Sequence, residues 1–227
     1  MRKFSPEERK CLEALMNHDT YSIYKSILND ISSQLKQRTS VISVDNPIVL
    51  PTYLAWYNQD DEQYKDIPIG KVSTVATAGI LPVIAMNLID YYGNPLKVNL
   101  KELTEIIDYF SYRAYEKLPN GSYKLDANGN LIGNGIRWTF NDNVLPFLGV
   151  QTMMTGKFSN VVLNLQNGNP SIAILENRDE VIINGIDAHY FYVVHGNKRK
   201  NNSFKEQIPI AEFMDSVKAL WLCSSAN

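Results

Sequence analysis

Gly79-Ile80-Leu81-Pro82-Val83-Ile84-Ala85-Met86-Asn87-Leu88-Ile89 is the stretch that decides the fold. From Ile80 to Ile89 almost every position is apolar, and Pro82 stands where a first helical turn would be, so its missing N–H breaks no helical hydrogen bond. The stretch predicts a helix entered through Gly79. A helix that is apolar all round belongs in the centre of a domain, so the remaining elements must be arranged around it. No window in the chain reaches the ~18 apolar residues of a membrane span.

On the N-terminal side, Ser40 to Tyr57 is rich in Val and Ile and broken by Asn46-Pro47 and Pro51, which predicts extended segments with turns. Residues 1 to 40 read as two helices. Ser5-Pro6-Glu7-Glu8 has capping-box spacing, and Tyr24, Ile27, Leu28, Ile31 and Leu35 recur at helical intervals. On the C-terminal side, Asn99-Leu100-Lys101-Glu102 opens a helix through Leu103, Ile106, Ile107 and Phe110. Asn120-Gly121 and Asn128-Gly129 predict tight turns around Tyr123 to Leu125. Then follow a helix over 138–148, a strand over 150–154, a short helix over 160–165 and strands over 171–175, 190–194 and 204–210, with a last helix over 212–222. Helices first and an antiparallel sheet later define an α+β order.

The chain has 227 residues, 44% of them hydrophobic and 20% charged, with a formal net charge of −2. That composition supports a sizeable core and excludes disorder. Near-neutral charge gives no basis for nucleic acid or an anionic membrane as partner. Cys11 and Cys223 are the two cysteines, which excludes a disulfide framework and a cysteine-rich zinc site. The opening residues lack the apolar run of a secretory signal, so a cytoplasmic protein is expected.

Two stretches carry a family resemblance. Trp56-Tyr57-Asn58-Gln59-Asp60, followed by Ala78-Gly79-Ile80-Leu81-Pro82 and by Tyr91-Tyr92-Gly93, resembles the opening of a papain-like cysteine peptidase of the C39-like type. Gly168-Asn169-Pro170-Ser171-Ile172 and Asp187-Ala188-His189-Tyr190-Phe191-Tyr192-Val193-Val194 resemble the two later strands of that family. The resemblance implies a papain-like fold, a buried helix packed on an antiparallel sheet, over residues 51–227. Residues 1–50 form an N-terminal helical hairpin and linker outside it.

In that family a Cys begins the buried helix, a His takes and returns its proton, and a Gln or backbone N–H groups hold the oxyanion. The resemblance assigns the Cys position to Ile80, the base to His189 and the oxyanion or cleft Gln to Gln59. Gly79, Leu81, Pro82, Ala188 and Tyr190 are then expected to line the cleft. Ile80 carries no nucleophilic atom, and losing the nucleophile of such a triad costs on the order of 10⁶ in turnover. The expected function is therefore that of a catalytically inactive pseudopeptidase that binds a peptide or protein, with no metal or other cofactor.

Two alternatives follow from the same residues. One is a hydrolase or acyl transferase in which Ser73 or Thr77 replaces the Cys, with His189 as base. The other is an assembly module docking through the N-terminal helices. His189 and His195 lie six residues apart on one strand, ~20 Å if extended, so they cannot share a metal. Lys198-Arg199-Lys200 reads as a solvated turn, and Asp126-Ala127-Asn128-Gly129-Asn130 lacks the spacing of a calcium loop.

Overall fold

The computed structural model describes residues 44, 46–51, 57–177, 179–197 and 205–226, together with Ile27, Asn29, Asp30 and Ser33. The two expected N-terminal helices lie outside these residues except for the last four, which are helical. Cys11, His18 and the Lys198 to Lys200 turn also lie outside them.

Among the described residues the chain folds as an α+β domain built on a seven-stranded antiparallel sheet. Strands β1 (Ile48–Val49), β6 (Val150–Thr155), β7 (Ser171–Leu175), β8 (Glu180–Ile186), β9 (Tyr190–His195), β10 (Lys205–Pro209) and β11 (Val217–Ser225) form it. Their order is β10-β9-β8-β7-β11-β6, and β1 adds to β8 through Ile48↔Ile186 and Val49↔Gly185. Two small ribbons stand apart, β2 (Pro68–Ile69) with β3 (Ser73–Thr74), and β4 (Arg113–Tyr115) with β5 (Gly133–Ile136).

The helices are α1 (Val75–Ala78), α2 (Ile80–Tyr91), α3 (Leu100–Tyr109), α4 (Thr139–Asn143), α5 (Phe158–Gln166) and α6 (Ile210–Ser216). Helix α2 is the stretch read first, and Leu81 to Ile89 are all buried. Its one buried polar side chain is satisfied. Asn87 accepts from the Tyr57 N–H at 2.9 Å and donates to the Tyr57 carbonyl at 3.0 Å, so the amide completes both backbone groups of a neighbouring extended residue. Helix α3 begins with the expected capping box, Asn99 Oδ1 accepting from Glu102 N and Glu102 Oε2 from Asn99 N.

Alternation along the strands sends side chains to two faces. On one, Phe191 packs with Phe158 of α5 and Phe213 of α6 at centroid distances of 5.9 and 4.7 Å. On the other, Trp221 donates to Asp142 of α4 at 3.0 Å.

Three elements depart from the pattern-based reading. The helix expected over 138–148 is α4 followed by a 3-10 turn at Leu145–Leu148, because Pro146 cannot continue an α-helical ladder. The helix expected over 212–222 stops at Ser216, and Val217–Ser225 is the strand between β7 and β6. An apolar run buried on both faces reads alike for helix and central strand, and here sheet pairing decides it. Strand β8 is absent from the pattern-based reading altogether.

Candidate functional site

The segment Tyr57-Asn58-Gln59 runs along α2 toward its start. Beyond the Asn87 pair, the Tyr57 hydroxyl donates to Asp90 Oδ2 at 2.8 Å, and burial and that carboxylate together push the phenol well above its ordinary pKa. Two residues on, the Gln59 N–H donates to the Gly196 carbonyl at 2.8 Å, and Gln59 Nε2 donates to the Ala76 carbonyl at 3.0 Å. Gln59 thus ties the end of β9 to α1. Its Oε1 is buried without a hydrogen-bond partner. One Nε2 hydrogen is committed to Ala76, which fixes the amide against α1.

Gly196 sits against the first residue of α2. A Cβ on it would lie 3.2 Å from both Ile80 Cα and the Ile80 carbonyl oxygen, closer than a side chain normally comes to backbone. Strand β9 therefore points its C-terminal end at the helix start. Ile80 is half-buried, Gly79, Leu81 and Pro82 are buried, and Gly79 caps the helix with backbone alone.

His195 is the last residue of β9 and is 2% exposed. Its Nε2 lies 2.8 Å from Glu206 Oε2 of β10. An imidazole–carboxylate pair thus stands one residue from the backbone that touches Ile80. His195 pairs across the ladder with Val181, so the start of β8 lies at the same end of the hairpin. There Glu180 is buried and accepts from Asn141 Nδ2 at 3.0 Å. Desolvation pushes its carboxyl up to about 7 against that one hydrogen bond.

His189 stands at the other end of β9, exposed in the turn after β8. Seven residues of extended strand place it ~23 Å from Gly196, and hence away from Ile80. The expected partnership of Ile80 with His189 is not made, and Ala188 and Tyr190, also exposed, do not share a cleft with Gly79, Leu81 and Pro82. The cause is direction: β9 runs toward the helix start, so its last residues, not its first, arrive there.

The substitute nucleophiles are engaged. The Ser73 hydroxyl accepts from Arg113 Nη2 at 2.6 Å, and Thr77 Oγ1 accepts from Thr74 N at 3.0 Å in a capping box. Cys223 is a free thiol buried in β11, and burial first, then Glu180, pushes its pKa far above the reactive range. Among the described residues no group of three His, Cys, Asp or Glu side chains could hold a metal ion. Asp126 closes its own turn, accepting from Asn128 N and Asn130 N at 2.8 Å each.

What the fold and this corner define is a mixed α+β domain in which the start of a buried helix meets the end of an antiparallel strand at Gly196, one residue past an imidazole–carboxylate pair. No protein-family model matches the chain, and neither a curated protein nor a solved structure is found similar to it. No helix among the described residues is long and apolar enough to cross a membrane.

Proposed function

We propose that the chain is a peptidase-like domain of the C39-like, papain-fold type that has lost its nucleophile and binds a peptide or protein without cleaving it. One observation carries the reading: Ile80 occupies the first position of the buried helix, in contact with Gly196 and one residue from the His195–Glu206 pair. A base and its orienting carboxylate stand one residue along the strand from the backbone that meets Ile80, a residue with nothing to deprotonate. The N–H groups of Ile80 and Leu81, at the positive end of α2 and without a side-chain cap, favour a carbonyl or carboxylate oxygen of a bound chain. His195 takes the place in this reading that the sequence alone assigned to His189.

The test is Ile80→Cys. A thiol installed at the start of α2 is expected to react with iodoacetamide at least tenfold faster at pH 7 than a surface thiol, because the helix end and the imidazole favour the thiolate. His195→Ala in that background should slow the reaction, while His189→Ala should not. The unaltered chain should bind extended peptides saturably and release no product from them. An ordinary thiol rate, or a rate sensitive to His189 rather than His195, removes the peptidase-like reading.

A further inference from the structure

The two edges of the sheet differ in how they are finished. Strand β10 carries Lys205, Glu206 and Pro209 in five residues, charges and a proline that discourage another strand from pairing there. Strand β6, Val150-Gln151-Thr152-Met153-Met154-Thr155, has no charge and no proline, and it keeps unbroken register with β11 from Val150↔Ser225 to Thr155↔Leu220. Alternate residues of an edge strand aim N–H and C=O outward. Among the described residues nothing beyond the β11 ladder takes these groups on β6. Met153 is 61% exposed on this edge, and Gln151 beside it is exposed too.

We propose that β6 pairs antiparallel with β6 of a second copy of this chain, joining two sheets into one about a two-fold axis. Such an axis perpendicular to the sheet keeps each face on its own side, so paired residues must share parity, and the register that centres on Met153 sets it against Met153 of the other copy. Gln151 then meets Thr155, and Thr152 meets Met154. An isologous contact sets a strand against itself, so any charge near its centre would face its own like. This strand has none. Lys157, the next charge along the chain, falls opposite Gly149 rather than opposite itself. The neutral sequence that leaves the edge unprotected is what makes it compatible with its own copy. The inference does not depend on the peptidase-like reading.

Sedimentation equilibrium of the full chain tests it, with an expected mass of twice 25.8 kDa. Met153→Lys sets two ammonium groups against each other and should raise the dimer Kd by on the order of tenfold or more, with an unchanged circular dichroism spectrum. In a Cys11→Ser background, Met153→Cys should form a disulfide-linked dimer under mild oxidant, and Gln151→Cys, offset by four residues from its own copy, should not. A monomer at every concentration, a dimer that Met153→Lys leaves intact, or equal cross-linking at both positions overturns the proposal. So does a monomer whose Met153→Cys thiol is protected by an added extended peptide and not by more of the chain.

Discussion

Strand β8 carries one carboxylate at its start, Glu180, and meets another just past its end, Asp187, and their surroundings push them in opposite directions. Glu180 is buried with one hydrogen bond, from Asn141, and desolvation raises it to about 7. Asp187 stands in an exposed turn. The Tyr192 hydroxyl donates to it at 2.6 Å and the N–H groups of His189 and Tyr190 at 2.7 Å each, and these donors hold it below the usual carboxylate range. The number of donors and access to water, not residue type, decide the outcome. The same contrast separates the two histidines of β9. His195 is enclosed and paired at the Glu180 end, and His189 is exposed at the Asp187 end. Chemistry that depends on a low dielectric has a setting at the first end only.

The largest expected effect removes the Glu180 asymmetry. Its carboxyl ordinarily titrates at 4.5, and in the folded chain it holds its proton to about 7. Below 4.5 both states are protonated and nothing is lost. Between the two values the unfolded chain gives up the proton and the folded chain does not, so stability falls as pH rises and reaches its full deficit above 7. That deficit is on the order of 3 kcal/mol. Glu180→Gln keeps the shape without the charge. Urea unfolding from pH 5 to 8 should show the variant gaining on the unaltered chain across that range, and parallel curves would show that Glu180 is not the titrating group.

A smaller effect is expected where the enclosed end meets α2. Gly196→Val drives a branched side chain toward the Ile80 backbone and should destabilise by about 1–3 kcal/mol, with Gly196→Ala costing less because one methyl needs only a few tenths of an ångström. The denaturant midpoint reads both. Equal and negligible costs would mean that the β9 end is not seated on the helix.

Helix α2 was legible because a ten-residue apolar run with Pro in its first turn has few other readings, and α3 because Asn99 and Glu102 stand at capping distance in sequence as they do in space. The enclosed end was not legible. Asn184-Gly185 has the composition of a turn, yet both residues lie within β8, where Gly185 lets the Ile48 carbonyl approach to 2.6 Å of where a Cβ would be. With β8 unseen, nothing showed that β9 is the returning arm of a hairpin, and the motif around His189 stood for the end that approaches Ile80. Glu206 and Glu180 gave no signal either: their roles come from register across strands, Val181↔His195 and Val193↔Glu206, which a linear pattern does not encode. The run Val217 to Leu222 reads as helix for the related reason that burial on both faces erases the period of two.

The smallest effects belong to the open end, and they sharpen the comparison by having the opposite sign. Asp187 is held below 3.8 by its donors, so the stability it contributes is present above that value and is lost as pH falls through its lower folded value. Asp187→Asn weakens the Tyr192 contact and should lower the melting temperature at pH 7, with the difference closing as pH falls through the carboxyl's lowered folded value. His189→Ala should change stability by less than about 0.5 kcal/mol at pH 7, since the side chain is exposed and the substitution keeps the backbone N–H that donates to Asp187. Thermal melts of Asp187→Asn and Glu180→Gln from pH 3 to 8 give two differences from the unaltered chain, opposite in sign and both growing as pH rises, with His189→Ala measured beside them at pH 7. A His189→Ala variant that cost as much as Asp187→Asn at pH 7 would mean that the imidazole rather than the backbone N–H holds the turn, and the distinction between the two ends of β9 would fail at that residue.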